Sequence, residues 1–303
     1  MIDTTVNIGS MRLKNPVLVA SGTFGYGDET LELVDVSKLG GIVTKSLTLK
    51  PRDGNLPPRI VETACGMLNS IGLANIGVKN FIEEKLPLLR ELNTSIIVNI
   101  AGNTIEEYEE LLTVLEDQSG IDAYEINVSC PNVKEGGLAF GTKCNTTAEI
   151  TRRVRKLTAK PIIIKLTPNV TRISEFAVAV EAEGADAVSV MNTLVGIAVD
   201  VKTQKPKLST VTGGLSGPAI KPVALAKVYE VFKSVKIPII GLGGIMNWAD
   251  AIEFMLIGAK AVQVGTANFI DPAIGIKIAD GIKQYCVDRR IAHVVELVGA
   301  LKI

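Results

Sequence analysis

Two lysines, three asparagines and one cysteine stand where short apolar runs stop. Lys45 and Lys165 end runs of Val, Ile and Leu, Asn99, Asn127 and Asn192 end three others, and Cys130 follows Asn127 by three residues. An ammonium at the end of an apolar strand must face an anion or a carbonyl, because burying an unpaired charge is strongly unfavourable. Lys165 admits two readings: a Schiff-base lysine, as in barrel aldolases, or a positive charge that stabilises a reduced, anionic flavin ring. The lysine alone does not separate them. Each asparagine can both donate and accept toward a flat heterocycle with alternating N–H and C=O groups, although a solvated turn is the ordinary place for one. Cys130 sits in Asn127-Val128-Ser129-Cys130-Pro131-Asn132. Most lone cysteines are small buried hydrophobes. A thiol with a reference pKa of about 8.5 accepts a carbon-bound proton only as its thiolate, so here it is position that argues for a general base.

A second group of residues suits an anion. Gly241-Leu242-Gly243-Gly244 and Gly265-Thr266 end the last two apolar runs, and Gly217-Pro218 opens the helical segment before them. Backbone N–H groups freed by glycines beside helix N-termini bind phosphate, and in barrels that site often follows strands seven and eight. Tight packing turns would explain each glycine singly but less easily all three clusters. No G-x-G-x-x-G follows a strand, so the chain carries no dinucleotide fingerprint.

These residues need a frame that brings them to one place, and the rhythm of the chain supplies it. Apolar runs ending in Gly, Ser, Thr, Asn, Lys or Cys recur eight times, at 17–22, 41–46, 96–102, 124–131, 161–168, 187–193, 238–244 and 261–266. Between them lie segments with helical spacing at 80–92, 104–116, 147–157, 173–183, 218–235, 248–257 and 273–287. Continuous runs such as Ile162-Ile163-Ile164 suit parallel strands buried on both faces. The expected fold is α/β: a single (β/α)8 TIM barrel, one domain over residues 1–303, with insertions over the C-terminal rim. Ser21, Ser46, Thr193 and Thr266 join the rim. The connections 47–79, 132–146 and 194–217 are too long for plain loops and should arch over the site. The Gly-punctuated stretch 132–141 reads as a movable lid over the Cys130 thiol.

Composition narrows the partner. A net charge of zero and 4% aromatic residues give neither a basic footprint nor a stacking platform for nucleic acid, which leaves a small molecule or another protein. Cys65, Cys130, Cys144 and Cys286 lack the close pairing of zinc or iron–sulfur ligands, so no metal site is expected in this chain. The single histidine, His293, lies far along the chain from the rim residues and reads as structural. With neither a cleavable leader nor a membrane-length apolar stretch, the expectation is a soluble cytoplasmic protein.

Five segments together resemble the class 1 dihydroorotate dehydrogenases, a likeness that runs through nearly the whole chain. They are Asn69-Ser70-Ile71-Gly72-Leu73, Asn127-Val128-Ser129-Cys130-Pro131-Asn132-Val133-Lys134, Ile164-Lys165-Leu166-Thr167-Pro168-Asn169, Gly214-Leu215-Ser216-Gly217-Pro218-Ala219-Ile220-Lys221-Pro222 and Gly241-Leu242-Gly243-Gly244-Ile245. The resemblance implies FMN-dependent oxidation of (S)-dihydroorotate to orotate in pyrimidine (UMP) biosynthesis, with Cys130 removing the C5 proton while C6 delivers hydride to flavin N5. It also implies that Gly217, Gly243, Gly244, Gly265 and Thr266 hold the FMN phosphate. Ser21, Ser46, Asn99 and Met191 would surround the isoalloxazine and ribityl chain, with Lys165 by the flavin N1 and O2 edge. Lys45, Asn69, Ser70, Ile71, Gly72, Leu73, Asn127, Asn192 and Thr193 would hold orotate, Lys45 and Asn127 touching FMN as well.

The stretch Met67-Leu68-Asn69-Ser70-Ile71-Gly72-Leu73-Ala74-Asn75-Ile76-Gly77 and the 132–137 segment are most similar to the NAD-linked class 1B branch. Ala74 and Ile76 stand where many members of that branch have Gln and Pro. In that branch a homodimer of the catalytic chain lies within a heterotetramer, and FAD and a [2Fe–2S] cluster reside on a partner subunit that passes electrons to NAD+. The alternatives are a fumarate-linked class 1A enzyme and a Schiff-base aldolase using Lys165, which would leave Cys130 without a role. Class 2 members use a serine base and carry an N-terminal membrane segment, and Cys130 argues against them.

Overall fold

The computed structural model describes residues 2–128 and 141–303. Cys130 and the 132–140 part of the expected lid lie outside the described residues. The strands run in chain order as β1 (Val6–Ile8), β2 (Met11–Leu13), β3 (Val17–Val19), β4 (Gly41–Val43), β5 (Ile60–Thr63), β6 (Gly66–Asn69), β7 (Ser95–Ile100) and β8 (Ala123–Asn127). They continue as β9 (Ile162–Leu166), β10 (Ala187–Val190), β11 (Leu194–Ile197), β12 (Val199–Asp200), β13 (Lys205–Pro206), β14 (Thr212–Ser216), β15 (Ile239–Leu242) and β16 (Ala259–Val264). Eight of them, β3, β4, β7, β8, β9, β10, β15 and β16, close into an all-parallel barrel in that order. These are the eight runs expected from the sequence, and the fold is the expected (β/α)8 barrel.

Burial on both faces explains their composition. Ile162, Ile163 and Ile164 of β9 are all fully buried, one face against the barrel interior and the other against the helical layer. The helices that cover the barrel follow the sequence expectation closely. Thr104 caps Ile105–Glu116 by accepting a hydrogen bond from the Glu107 N–H. Helix Trp248–Leu256 starts on a reciprocal capping box, in which Asn247 Oδ1 accepts from the Asp250 N–H and Asp250 Oδ2 accepts from the Asn247 N–H. The segment expected as one helix over 80–92 starts earlier, at Gly77–Asn80, and widens into a π turn over Phe81–Lys85 before Leu86–Arg90. Pro87 follows the wide turn and has no N–H to give to a carbonyl one turn back, which accounts for the loosened ladder.

Two additions were not legible as strands. The chain opens on the β1–β2 hairpin, whose Val6, Ile8, Met11 and Leu13 are buried while Asn7 and Arg12 face out. Its turn packs on Asp186, just before β10, so the hairpin covers the N-terminal end of the barrel. At the opposite end, the long connections after β4 and β10 pair with each other, giving an antiparallel sheet in the order β11-β14-β6-β5. This lip sheet holds Asn69 against Gly214 and Ile60, at a place set by backbone pairing. His293 lies at the N-terminal face beside Asp3, exposed and away from the rim. Among the described residues no helix is long and apolar enough to cross a membrane.

The capping box yields a stability test. Asn247→Ala removes a side-chain acceptor from two backbone donors, Ala249 and Asp250. It is expected to lower the free energy of unfolding by about 1 kcal/mol, read as an earlier urea midpoint at unchanged slope.

Candidate active site

The C-terminal ends of the barrel strands and the lip sheet enclose a cavity of about 350 Å3. That is within the range of small-molecule sites. Ser21, Lys45, Ser46, Asn127, Lys165, Met191, Asn192 and Thr193 line it from the strand ends, and Asn69, Ile71, Gly72 and Leu73 line it from the connection after β6. Gly217, Gly243, Gly244, Gly265 and Thr266 form a further wall of the same cavity. Asn99 and Ser70 are set behind the wall. Asn99 is fully buried and donates to Glu125 Oε1 at 2.7 Å, while Ser70 is fully buried with its N–H on the Arg59 carbonyl at 2.8 Å. Asn69 through Leu73 form a strand end and turn, so consecutive side chains point apart, which separates Ser70 from its neighbours.

Strand register explains why the rim residues converge. Asn127, Lys165 and Ser189 are paired across β8, β9 and β10, and Asn99 is paired with Glu125 across β7 and β8. Directly paired residues point to one face, so these side chains share the barrel interior. The end of β8 is pinned by Tyr108, whose hydroxyl donates to the Asn127 carbonyl at 2.9 Å. Hydroxyls bridge the strand ends: Ser21 and Ser46 lie 3.4 Å apart, Asn127 Nδ2 reaches Ser46 Oγ at 3.4 Å, and Thr266 Oγ1 donates to Ser216 Oγ at 2.8 Å.

The glycine wall is tight on its outer side. Gly243 and Gly244 hold φ of 130° and 76°, which favour glycine, and a Cβ would stand 2.8 Å from Ala224 Cβ at the first and 2.8 Å from Lys221 Cβ at the second. The loop therefore lies directly on the start of helix Lys221–Phe232. Asp250 braces it from outside, accepting from the Met246 N–H at 2.8 Å and pairing with Lys221 at 2.6 Å. There is more room at Gly265, where a Cβ would meet nothing nearer than 3.6 Å, and at neighbouring Gly22, where it would meet nothing within 4 Å. Backbone pressed on a helix start on one side and lining the cavity on the other fits a phosphate. Under the cavity, Gln263, which lines it, has a buried Oε1 with no hydrogen-bond partner among the described residues, which fits a ring with an N–H donor. The residues present thus suit FMN.

The two rim lysines differ in setting. Lys165 is 5% exposed and lies 3.5 Å from Glu125 Oε1. Lys45 is half-buried and makes no ion pair among the described residues. Burial and the neighbouring Arg59 charge lower its pKa, with Glu29 working the other way. Loop 72–76 is tied down by the Ile76 N–H, which donates to Tyr26 Oη at 3.2 Å; a proline at 76 could not make this bond. Burial pushes the Tyr26 phenol up to about 12, so it stays protonated.

Glu125, Ser189 and Gln263 were missed in the sequence. Glu125 is the one acidic residue in the eight barrel strands, and a lone charge within Tyr124-Glu125-Ile126-Asn127 was the signal that could have found it. Met67, Ser216 and Phe269 also line the cavity, brought there by the lip sheet and by the turn after β16.

The chain matches the family model described as dihydroorotate dehydrogenase over residues 3–286. It is 55% identical over 301 residues to the protein named dihydroorotate dehydrogenase B (NAD(+)), catalytic subunit, of Geobacter metallireducens, covering 99% of each chain. A protein of the same name from Parabacteroides distasonis is 52% identical over 303 residues, covering 100% of this chain and 99% of the relative. In shape it is similar to the crystal structure of DHODH in complex with ferulenol from Eimeria tenella, with a TM-score of 0.83 over 98% of this chain and 88% of that one. At 22% identity that likeness bears on the fold alone.

An anion seated against Lys45 restores the charged form that burial disfavours, so above the lowered pKa its binding takes up a proton. Affinity for a small carboxylate seated there is expected to be flat near neutrality and to fall as pH rises, from a pH below the ordinary lysine value of about 10.4. Lys45→Met should weaken such a carboxylate roughly thirtyfold, the equivalent of about 2 kcal/mol, and flatten that slope; ligand titration across pH measures both.

Proposed function

The chain belongs to the dihydroorotate dehydrogenase family, and from that premise we propose that it oxidises (S)-dihydroorotate to orotate with FMN, as the catalytic subunit of an NAD+-linked enzyme. The observation that carries this reading is the single cavity in which an anion-suited glycine wall, a buried lysine and three rim amides face one another. Gly217, Gly243, Gly244, Gly265 and Thr266 would hold the FMN phosphate, with Ser21, Ser46, Met191 and Lys165 along the rest of the cofactor. When bound, FMN supplies the acceptor for a hydride.

Lys45 binds the substrate carboxylate, and Asn69, Asn127 and Asn192 offer both donors and acceptors to a pyrimidine ring, each amide matching a C=O beside an N–H. Thr193 and the turn through Leu73 close the ring's sides and exclude water. Cys130, carried over from the motif, takes the C5 proton as thiolate and becomes the neutral thiol. As the C5 proton goes to Cys130, its bonding pair becomes the C5=C6 double bond and the C6 hydrogen leaves as hydride, for which FMN would be the acceptor. Lys165 on the floor favours the negative charge that a reduced flavin ring carries. A Schiff base would need Lys165 neutral and accessible; its place 3.5 Å from a buried carboxylate favours the charged role.

The names of the relatives, catalytic subunits of an NAD(+)-linked enzyme, support a division of labour in which a second subunit passes the electrons to NAD+; the resemblance to the NAD-linked branch implies that this subunit would carry FAD and a [2Fe–2S] cluster. A homodimer of this chain within a heterotetramer fits that scheme.

Anaerobic mixing of the FMN-loaded chain with dihydroorotate should bleach the visible flavin band, and NAD+ should restore it only when the second subunit is present. Cys130→Ala should bind orotate normally yet bleach about 10²- to 10⁴-fold more slowly, the usual worth of a general base. A yellow protein indifferent to dihydroorotate overturns the reading.

A further inference from the structure

Glu125 is completely buried beneath the cavity, and four side chains from four other strands converge on it. Its Oε1 accepts from Asn99 Nδ2 at 2.7 Å and lies 3.5 Å from Lys165 Nζ. Its Oε2 accepts from Ser189 Oγ at 2.7 Å and from Gln263 Nε2 at 2.6 Å. An ionised carboxylate only accepts, so each neighbour must turn a donor toward it. This decides how the two amides are oriented: flipping either would set a carbonyl oxygen against a carboxylate oxygen. With their NH2 groups held below, Asn99 Oδ1 and Gln263 Oε1 are turned away, and both are buried with no hydrogen-bond partner among the described residues. Such an atom is costly when left unsatisfied, so a ligand that donates to it gains. Gln263 is 1% exposed and lines the cavity, as does Lys165.

We propose that Glu125 is a positioning residue for the cofactor, and that through it Gln263 becomes a cofactor-binding residue. The carboxylate holds the Lys165 ammonium and the Gln263 carbonyl as a donor and an acceptor on the cavity floor. That pair complements a heterocycle edge in which a carbonyl or anionic nitrogen stands beside an N–H, as on the pyrimidine side of a flavin. The inference rests on the FMN reading above. Glu125 touches no ligand; it acts by charge and by fixing amide polarity, and its negative charge balances Lys165 within the floor.

The experiment is an FMN titration of flavin-stripped protein, followed by the visible spectrum and reduction potential of the bound flavin, on wild type, Glu125→Gln and Gln263→Met. Glu125→Gln keeps the shape but offers one acceptor where two were needed, so one amide must reverse. Net charge under the ring also rises from neutral toward positive. The expected result is a dissociation constant for FMN at least tenfold higher, a displaced flavin band and a higher reduction potential. Gln263→Met, which removes the cavity-lining amide together with its hydrogen bond to Glu125, should also raise the dissociation constant about tenfold with a displaced band. If Glu125→Gln does not fold, Gln263→Met carries the test, and wild-type affinity and spectrum there overturn the proposal. A lower melting temperature with unchanged spectrum and potential in Glu125→Gln also overturns it, leaving a purely structural role. Wild-type protein that binds no FMN sinks the flavin reading itself, whereas wild type that binds with both variants matching it sinks only this inference.

Discussion

Closure of the parallel sheet is the constraint from which the rest of the molecule follows. Because β16 pairs with β3, every strand has two neighbours, every strand runs the same way, and all eight C-terminal ends meet at one rim. Hydrogen-bond register then sets heights: Asn127, Lys165 and Ser189 stand level, and Asn99 stands level with Glu125. A slip of one residue in β8 would turn Glu125 and Asn127 outward and leave a carboxylate among apolar helix side chains. The register is thus guarded by the same side chains that build the site.

Polar groups inside such a barrel must find partners in one another or in a ligand. The helices saturate the outer face with Val, Leu and Ile, so the polar contacts of β7 to β10 are directed inward. Lys165 has a carboxylate below it; Lys45 has burial and Arg59 for company. One lysine is a balanced charge that can face an electron-rich ring, the other an unbalanced one that gains most from an incoming carboxylate. Residues of one type at equivalent positions therefore take different roles because of their neighbours alone.

The cavity is completed by parts foreign to the barrel. The lip sheet joins the connection after β4 to the connection after β10 and brings Asn69 and Met67 over strand ends far away in the chain. The glycine wall is fixed from behind by Asp250, through Met246 and Lys221, so a helix cap also holds the anion-suited loop in shape. Stability and function share these few bonds.

Much was legible from local physics. Eight apolar runs buried on both faces, helices with caps at Thr104 and Asn247, and glycines after the last strands are short-range signals, each readable within about ten residues. Asn127, Lys165 and Gly243 stood out because polar or flexible residues at strand ends break a continuous apolar pattern. The lip sheet did not stand out, since its strands are short, rich in glycine and paired over more than a hundred residues of chain. Glu125, Ser189 and Gln263 were hidden for a related reason: in strands buried on both faces, alternation no longer marks which side chain points inward. The sequence by itself determined the barrel, its rim and the chemical kinds of residue available there. Only the closed tertiary structure decided which of them meet around one carboxylate, because that depends on strand register and closure, and neither is written in any local stretch of chain.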